Sequence, residues 1–303
     1  MKNKTIIGGL AIALAAIMWG FDGVVLTPRL FNLDVSFVVF VLHAIPFILM
    51  NLFLFKQYKQ LKRFTKNDVL IFTLIAATGG SIGTLAIVKA LFLVNFQHLS
   101  IVILLQKLQP IFAIALAAIL LKEKITKNFI IWALVAIAAG YTLTFGLHLP
   151  HMSSGINTVS AALYALLAAF CFGSSTVFSK MVLAKYNFKT VTFYRYGFTS
   201  IIMLLIVLSL GKMTQFNVTT QQNWLFFIII ALTTGSGAIL LYYYGLNQVK
   251  AIASIIVELL FPISAIIFDY IINDSLLSPI QWISAAIMVF SIIRLNKKIV
   301  VQQ

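Results

Sequence analysis

The segment IIVELLFPISAIIFDYII, residues 255–272, combines the length of a membrane span with residues that membrane spans rarely contain. About 20 apolar residues cross a hydrocarbon core of roughly 30 Å as a helix, and this segment approaches that length. It nevertheless carries the acids Glu258 and Asp269 and the helix breaker Pro262. Ionisable residues inside a membrane are rare and tend to mark functional sites. The segment therefore predicts a membrane helix with a polar site.

The composition of the whole chain places it in a membrane. Of its 303 residues, 61% are hydrophobic and 10% are charged, and its mean hydropathy is +1.04. Soluble domains are about 45–50% apolar and about 25% charged. Lipid-facing strands of a β-barrel alternate between apolar and polar residues, and the apolar segments of this chain do not. We therefore predict an all-α membrane protein with ten transmembrane helices, at residues 5–27, 34–54, 69–94, 98–121, 128–147, 156–183, 188–210, 223–247, 250–273 and 277–295.

The distribution of positive charge predicts the orientation of these helices. With both termini in the cytoplasm, 17 of the 22 Lys and Arg residues fall on the cytoplasmic side. Two fall outside (Arg29 and Lys212) and three in the membrane (Lys89, Lys107 and Arg195). Lys and Arg concentrate in cytoplasmic loops, so we expect an N-in, C-in protein of the cytoplasmic membrane. The same bias explains the net charge of +15, and we expect no nucleic-acid partner.

The chain also repeats itself at an offset of about 152–155 residues. LLQKLQPIFAIALAAILLKE (104–123) resembles IVELLFPISAIIFDYIIND (256–274), and this match places Gln106 opposite Glu258. Three further matches keep the same offset: 15–25 with 168–178, 40–55 with 193–208, and 79–91 with 234–246. We therefore predict two five-helix repeats, at residues 1–150 and 151–303. Since five is odd, the second copy enters from the opposite side, as in many secondary transporters.

These residues resemble the EamA-like branch of the drug/metabolite transporter superfamily. The resemblance covers the whole chain and is carried by WGF (19–21) and by KALFLVNFQHLSIVILLQKLQPIFAIALAAILLKEKIT (89–126). In that family a proline is followed by an apolar run and an acid in the fourth and ninth helices, here Pro110 with Glu123 and Pro262 with Asp274. The resemblance implies a secondary transporter of small organic molecules with a central cavity between the two halves.

Two prolines indicate where such a cavity lies. Proline has no N–H, so Pro262 is expected to leave the carbonyl of Glu258 without its helical partner, and Pro110 to do the same for Gln106. Freed carbonyls are tolerated in a membrane only where protein, water or ligand satisfies them. The pattern favours a hydrated cavity. The alternative is a packing kink whose polar groups bind neighbouring helices.

Further polar residues inside the predicted helices extend this site. Asp22 and Lys89 both fall in the outer half of the membrane, where they are placed to pair, and Lys107 falls near mid-depth. Aromatic rings suit stacking on a substrate or a cation. Arg195 and His43 are expected to make structural hydrogen bonds between helices, and Asp269 to reach the interface. The candidate substrate-binding residues are Trp19, Asp22, Lys89, Gln106, Lys107, Tyr244 and Glu258, with Pro110 and Pro262 as helix breaks.

These expectations lead to a function. No Walker A, His-Glu-x-x-His or nucleophile motif occurs, so we predict a protein that is not an enzyme, with no cofactor and no metal. The candidate residues carry charges of both signs, which favours a small polar substrate that is amino-acid-like or zwitterionic. We therefore predict a secondary active transporter of such a metabolite that works by alternating access. Protons or a counter-substrate are further candidate partners beside the lipid bilayer. The alternatives are an exporter or flippase of an amphipathic compound and a non-transporting membrane scaffold or sensor.

Overall fold

The computed structural model describes residues 2–93, 105–106, 108–123, 125–145, 147, 156–273 and 278–301. Lys107 and Asp274 lie outside these residues, and so do the side chains of Pro262 and Asp269. Throughout the described part of the chain the regular structure is helical, with no strand.

Thirteen α-helices are described, several of them consecutive pieces of one membrane span. They are α1 (Lys2–Phe21), α2 (Val35–Leu54), α3 (Lys66–Ile75), α4 (Gly83–Leu93), α5 (Gln109–Leu120), α6 (Lys127–Phe145), α7 (Ile156–Leu183), α8 (Phe188–Ser209), α9 (Gln221–Ile230), α10 (Ser236–Gln248), α11 (Ala251–Val257), α12 (Leu260–Asn273) and α13 (Pro279–Val301). Short π-helical segments (Asp22–Leu26, Ala76–Ile82 and Ala231–Gly235) and 3₁₀ segments (Thr27–Leu30, Phe55–Arg63 and Lys212–Asn217) join or extend them.

Six stretches of the described chain are long and apolar enough to cross a membrane. They are Asn3–Leu30, Val35–Arg63, Lys66–Ala90, Val159–Leu183, Phe188–Ser209 and Gln221–Gln248. Shorter apolar helices occupy Gln109–Leu120, Lys127–Thr142, Ile263–Ile272 and Pro279–Ser291. Many large apolar side chains on these helices are exposed, Phe53 by 80% and Ile119 by 70% for example. An all-helical protein with this surface is a multi-pass membrane protein.

The repeat seen in the sequence is visible in the helix starts. Thr65 and Asp68 form a capping box at the start of α3, and Thr220 and Asn223 form one at the start of α9, 155 residues later. In such a box two side chains satisfy backbone donors that the helix leaves open. The π-helical segments Ala76–Ile82 and Ala231–Gly235 begin at positions with the same offset in sequence. Equivalent positions in the two halves therefore adopt equivalent local structure.

Packing between helices follows the same relation. We call residues 1–150 the first half and residues 151–303 the second half. Helix α1 packs against α10 and α12 of the second half, and α7, its equivalent there, packs against α4 and α5 of the first. Helices α2 and α8 pair, as do α6 and α13. Each of these contacts joins the two halves, which therefore pack together through helices along the length of both.

Candidate functional site

Glu258 lies at a break between α11, which ends at Val257, and α12, which begins at Leu260. The expectation that its carbonyl is left free is wrong, because the Phe261 N–H donates to it over 2.9 Å. The chain tightens into a 3₁₀-type turn ahead of Pro262, and a donor three residues on replaces the one that proline lacks. The break therefore contributes the Glu258 side chain to the site rather than an open carbonyl.

The Glu258 carboxylate collects hydrogen bonds from both halves. Tyr242 OH donates to Oε1 over 2.8 Å and Ser254 Oγ donates to it over 3.0 Å. Gln109 Nε2, at the start of α5, lies 3.5 Å from Oε2. Among the described side chains no cation lies within ion-pair distance of this acid. Glu258 is therefore held by neutral donors, which can stay in place when its charge changes.

Tyr242 continues the network into the neighbouring helices. Its only hydroxyl proton goes to Glu258, so Thr176 on α7 donates to the Tyr242 oxygen over 2.9 Å. The Tyr242 ring lies against Trp19 of α1, with ring centroids 5.3 Å apart. An aromatic pair contributed by both halves thus lies beside a hydrogen-bonded carboxylate.

Arg195 forms a second polar cluster, which confirms its expected structural role. Nη1 donates to Tyr243 OH over 2.9 Å, and Nη2 donates to the Gly79 carbonyl over 3.2 Å. Ser179 Oγ lies 2.8 Å from the same Tyr243 oxygen. The guanidinium therefore links α8, α10 and the π-helical segment Ala76–Ile82. His43 bonds within its own helix instead, to the Val39 carbonyl at 2.8 Å.

The expected pair of Asp22 and Lys89 is not formed. Lys89 is exposed on α4, and the described ion pairs do not include either residue. The Asp22 carboxylate lies beside the side chains of Thr27 and Thr234, but Oδ1 is buried without a hydrogen-bond partner in the described structure. A buried acceptor left unpaired costs about 1–3 kcal/mol. Asp22 is thus a polar group with an unfilled bonding position.

The remaining sequence candidates are more scattered. The Tyr244 ring packs against Phe188, 5.4 Å between centroids, and is not part of the Glu258 network. Gln106 is half-buried, but Gln109 rather than Gln106 reaches Glu258. Pro110 lies in the first turn of α5, a position where a missing N–H is tolerated. Lys107 lies outside the described residues. The structure thus brings together Trp19 and Glu258, through Tyr242.

Sequence reasoning missed Gln109, Thr176, Tyr242 and Ser254. Tyr242 belongs to the run Tyr242–Tyr244, of which the candidate list contains only Tyr244; the match of 79–91 with 234–246 places Tyr244 opposite Lys89. Ser254 lies four residues before Glu258 on one helix, a spacing that places side chains on the same face, so a search for polar neighbours at this spacing finds it. Gln109 and Thr176 have no such local signal, since their partners lie in the other half.

A second contact between the halves lies at the start of α11. Both carboxylate oxygens of Glu123 accept hydrogen bonds from backbone N–H groups there, Oε1 from Ala251 at 2.8 Å and Oε2 from Ile252 at 3.0 Å. Lys180 Nζ donates to the Leu246 and Val249 carbonyls at the end of α10, over 2.6 and 2.5 Å. An anion at a helix start and a cation at a helix end both match the helix dipole.

The chain matches a known family over most of its length. The model of the EamA-like transporter family matches it twice, at residues 6–145 and 159–296. The two matches correspond to the two halves that pack against one another in the structure. The sequence-based assignment to an EamA-like transporter is confirmed.

Two further similarities bear on identity and fold. A riboflavin transporter, ImpX, of Fusobacterium nucleatum subsp. nucleatum is 54% identical to this chain over 291 residues, which cover 96% of this chain and 97% of the relative. A solved crystal structure aligns with a TM-score of 0.72 over 96% of this chain and 95% of its own, at 15% identity. The second similarity concerns the fold alone.

Proposed function

Because this chain belongs to the EamA-like transporter family, we propose that it carries riboflavin, or a closely related flavin, across the cytoplasmic membrane. The observation that carries the proposal is the 54% identity to the riboflavin transporter ImpX, which extends over nearly the full length of both chains. The alignment covers 96% of this chain, so it includes the helices that meet at Glu258, where a substrate between the halves would bind.

The chemistry of the central network suits a flavin. Riboflavin is uncharged at neutral pH, with a flat tricyclic ring, a polar imide edge and a ribityl chain of hydroxyl groups. The half-buried Trp19, whose ring is held against Tyr242, offers an aromatic face for the flavin ring. The half-buried Gln109 offers a neutral amide, with donors and an acceptor, for the imide edge or the hydroxyls. Binding sites of this kind combine apolar walls with a few placed polar groups.

An amino-acid-like or zwitterionic substrate stays a prediction, but the flavin is the better candidate. The zwitterionic prediction depends on cavity candidates of both charge signs, Asp22 and Glu258 against Lys89 and Lys107. In the described structure Lys89 is exposed and unpaired with Asp22, and Glu258 is surrounded by neutral donors. A neutral substrate needs no such pair of opposite charges.

For the mechanism we propose alternating access between two inverted five-helix repeats, residues 1–150 and 151–303, with ten transmembrane helices and both termini in the cytoplasm. The pairing of equivalent helices across the halves supports this arrangement, as does the excess of Lys and Arg in the segments assigned to the cytoplasm. Rocking of one half against the other would expose the site to each side in turn.

For the energy source we propose proton coupling. A neutral substrate gains nothing from the membrane potential on its own, so accumulation requires a coupled ion or a counter-substrate. Glu258 can change charge without losing its neutral hydrogen-bonding neighbours. Asp22 has a buried oxygen without a partner, which a proton or a substrate group would satisfy. A counter-substrate is the alternative source of energy.

The test is riboflavin uptake into vesicles that contain the purified protein. We expect saturable accumulation, followed by flavin fluorescence, that exceeds empty vesicles, is blocked by excess riboflavin and is unaffected by amino acids. An imposed pH gradient should stimulate it. Accumulation of an amino acid but not of riboflavin would favour the amino-acid-like substrate over the flavin. Outward movement of amphipathic compounds would favour the exporter or flippase. The absence of any transport would favour the scaffold.

A further inference from the structure

The 3₁₀ helix Phe55–Arg63 follows α2 directly. Its sequence repeats every three residues, which is also the number of residues in one turn of a 3₁₀ helix. FKQYKQLKR is three consecutive triplets, each with an apolar residue, a lysine and a polar or basic residue. A 3₁₀ helix has three residues per turn, so residues three apart lie on the same face. The segment therefore has an apolar stripe (Phe55, Tyr58 and Leu61), a lysine stripe (Lys56, Lys59 and Lys62) and a third stripe (Gln57, Gln60 and Arg63).

The third stripe holds the helix against the second half of the protein. Gln57 Oε1 accepts a hydrogen bond from Thr190 Oγ1 over 2.7 Å, and the Gln57 carbonyl accepts one from Tyr194 OH over 2.9 Å. Gln57 and Gln60 are half-buried. These contacts set the rotation of the helix about its axis, so the lysine stripe and much of the apolar stripe are turned away from the second half.

The apolar and lysine stripes are both left exposed. Phe55, Tyr58 and Leu61 are 56%, 44% and 46% exposed, although the Tyr58 ring also contacts Phe193. The three lysines are exposed as well.

The lysine stripe has no acidic partner within the described part of the protein. The described ion pairs are Lys185–Asp68 and Lys212–Asp34, and neither includes a stripe lysine. Asp68, the nearest acid along the chain, is held at 2.7 Å by Lys185. Three cations on one face of a short helix are thus left without a counter-charge from the described acids.

From this arrangement we propose that Phe55–Arg63 is a binding site for anionic phospholipid headgroups. An apolar stripe next to a cationic one, at the end of a transmembrane helix, suits the boundary between acyl chains and headgroups. At a rise of about 2.0 Å per residue the lysines follow one another at about 6 Å along the axis, so neighbouring ammonium groups can bind one phosphate or two. The proposal depends on the membrane location and not on which substrate is carried.

Lipid binding here would act on the contact between the halves. The same short helix that faces the headgroups is hydrogen-bonded to Thr190 and Tyr194 of α8. A bound anionic lipid would therefore stabilise α2 and α8 in their paired arrangement. The effect should weaken with salt, because the screening length falls from about 10 Å at 0.1 M to about 3 Å at 1 M.

The experiment compares the full-length protein in vesicles of phosphatidylcholine with and without phosphatidylglycerol. We expect phosphatidylglycerol to raise the midpoint temperature of unfolding at low salt. The triple variant Lys56→Gln, Lys59→Gln and Lys62→Gln should lose most of this increase. Its retention of phosphatidylglycerol in native mass spectrometry should fall by about fivefold per lysine removed. The single variant Lys59→Gln, at the centre of the stripe, should show a smaller loss and guards against misfolding of the triple variant.

Two controls separate the stripe from the overall charge. The variant Lys122→Gln, Lys124→Gln and Lys127→Gln removes the same charge from another segment assigned to the cytoplasm and should respond to phosphatidylglycerol like the wild type. Lys56→Arg, Lys59→Arg and Lys62→Arg keeps the charge and should retain the response. The proposal is overturned if phosphatidylglycerol stabilises the Gln stripe variant as much as the wild type. It is also overturned if the control triple loses the response to the same extent, or if phosphatidylglycerol has no effect on the wild type.

Discussion

Glu123 caps the helix that begins at Ala251, with both carboxylate oxygens on backbone N–H groups of that helix. Glu123 belongs to the first half and Ala251 to the second. The Glu123 charge also lies close enough to Lys180 to interact with it, and Lys180 in turn binds carbonyls at the end of α10. Two helix ends of the second half are thus held by charged side chains, at a point where the halves must separate if the transporter opens there.

Replacing Glu123 by Gln should favour opening at this contact. The amide keeps one acceptor oxygen but loses the negative charge, and charge at a helix start is worth about 0.3–1 kcal/mol, up to about 2 kcal/mol when partly buried. In a Cys171→Ala background with Ser254→Cys, we expect several-fold faster labelling by an impermeant maleimide from the side of Glu123. Lys122→Gln, next to it and exposed, is the matched control. Equal labelling of Glu123→Gln and the control would show that the contact does not hold the halves.

Replacing Glu258 by Gln should remove the response of riboflavin transport to pH. The amide cannot take up or release a proton, but it keeps an acceptor for Tyr242 and Ser254. We expect exchange of riboflavin across the membrane to continue while stimulation by a pH gradient disappears. Asp34→Asn, at the cap of α2, changes an acid remote from the network and should keep the wild-type profile. A Glu258→Gln protein with wild-type pH dependence would exclude Glu258 as the proton carrier.

The two tyrosines Tyr242 and Tyr244 should differ sharply in their importance. Tyr242→Phe leaves the Glu258 oxygen without its 2.8 Å donor and Thr176 without its acceptor. Loss of a buried partner costs about 1–3 kcal/mol, so we expect transport to fall by about tenfold or more. Tyr244→Phe keeps the ring that packs on Phe188 and should transport at close to the wild-type rate. Equal rates in the two variants would remove Tyr242 from the site.

A methyl group at Gly79 should destabilise the interface between the halves. A Cβ there would overlap Ser175 Oγ and lie 2.8 Å from Ser175 Cβ, which is inside contact distance. We expect Gly79→Ala to lower the midpoint temperature of unfolding, and the double variant with Ser175→Gly to recover part of the loss. Gly9→Ala, whose Cβ would meet nothing within 4 Å, is the control. A Gly79→Ala protein as stable as Gly9→Ala would contradict the observed packing.

Some of the polar residues of the site could be predicted from the sequence and others could not. Glu258 was identified because an acid in an apolar segment is conspicuous on its own. The candidates from the sequence include Tyr244 and not Tyr242. The two residues differ by about 200° around a helix, so they face opposite ways and only one of them can face Glu258. The sequence alignment of the halves matched Tyr244 with Lys89 but contained no information on the rotation of α10. Packing of α10 against α1 and α8 sets that rotation, and it turns Tyr242 toward Glu258.

The amino-acid sequence by itself determined that this is a helical membrane protein of two related halves. Hydrophobicity, charge distribution and capping residues such as Thr65 and Asp68 act over a few residues, so they can be recognised in the chain without its fold. The tertiary structure alone decided that Gln109 and Thr176 join Glu258 and Tyr242, that Asp22 and Lys89 do not pair, and that Glu123 caps α11. These contacts join residues that are distant in the chain, and their distances are set by how the two halves pack together.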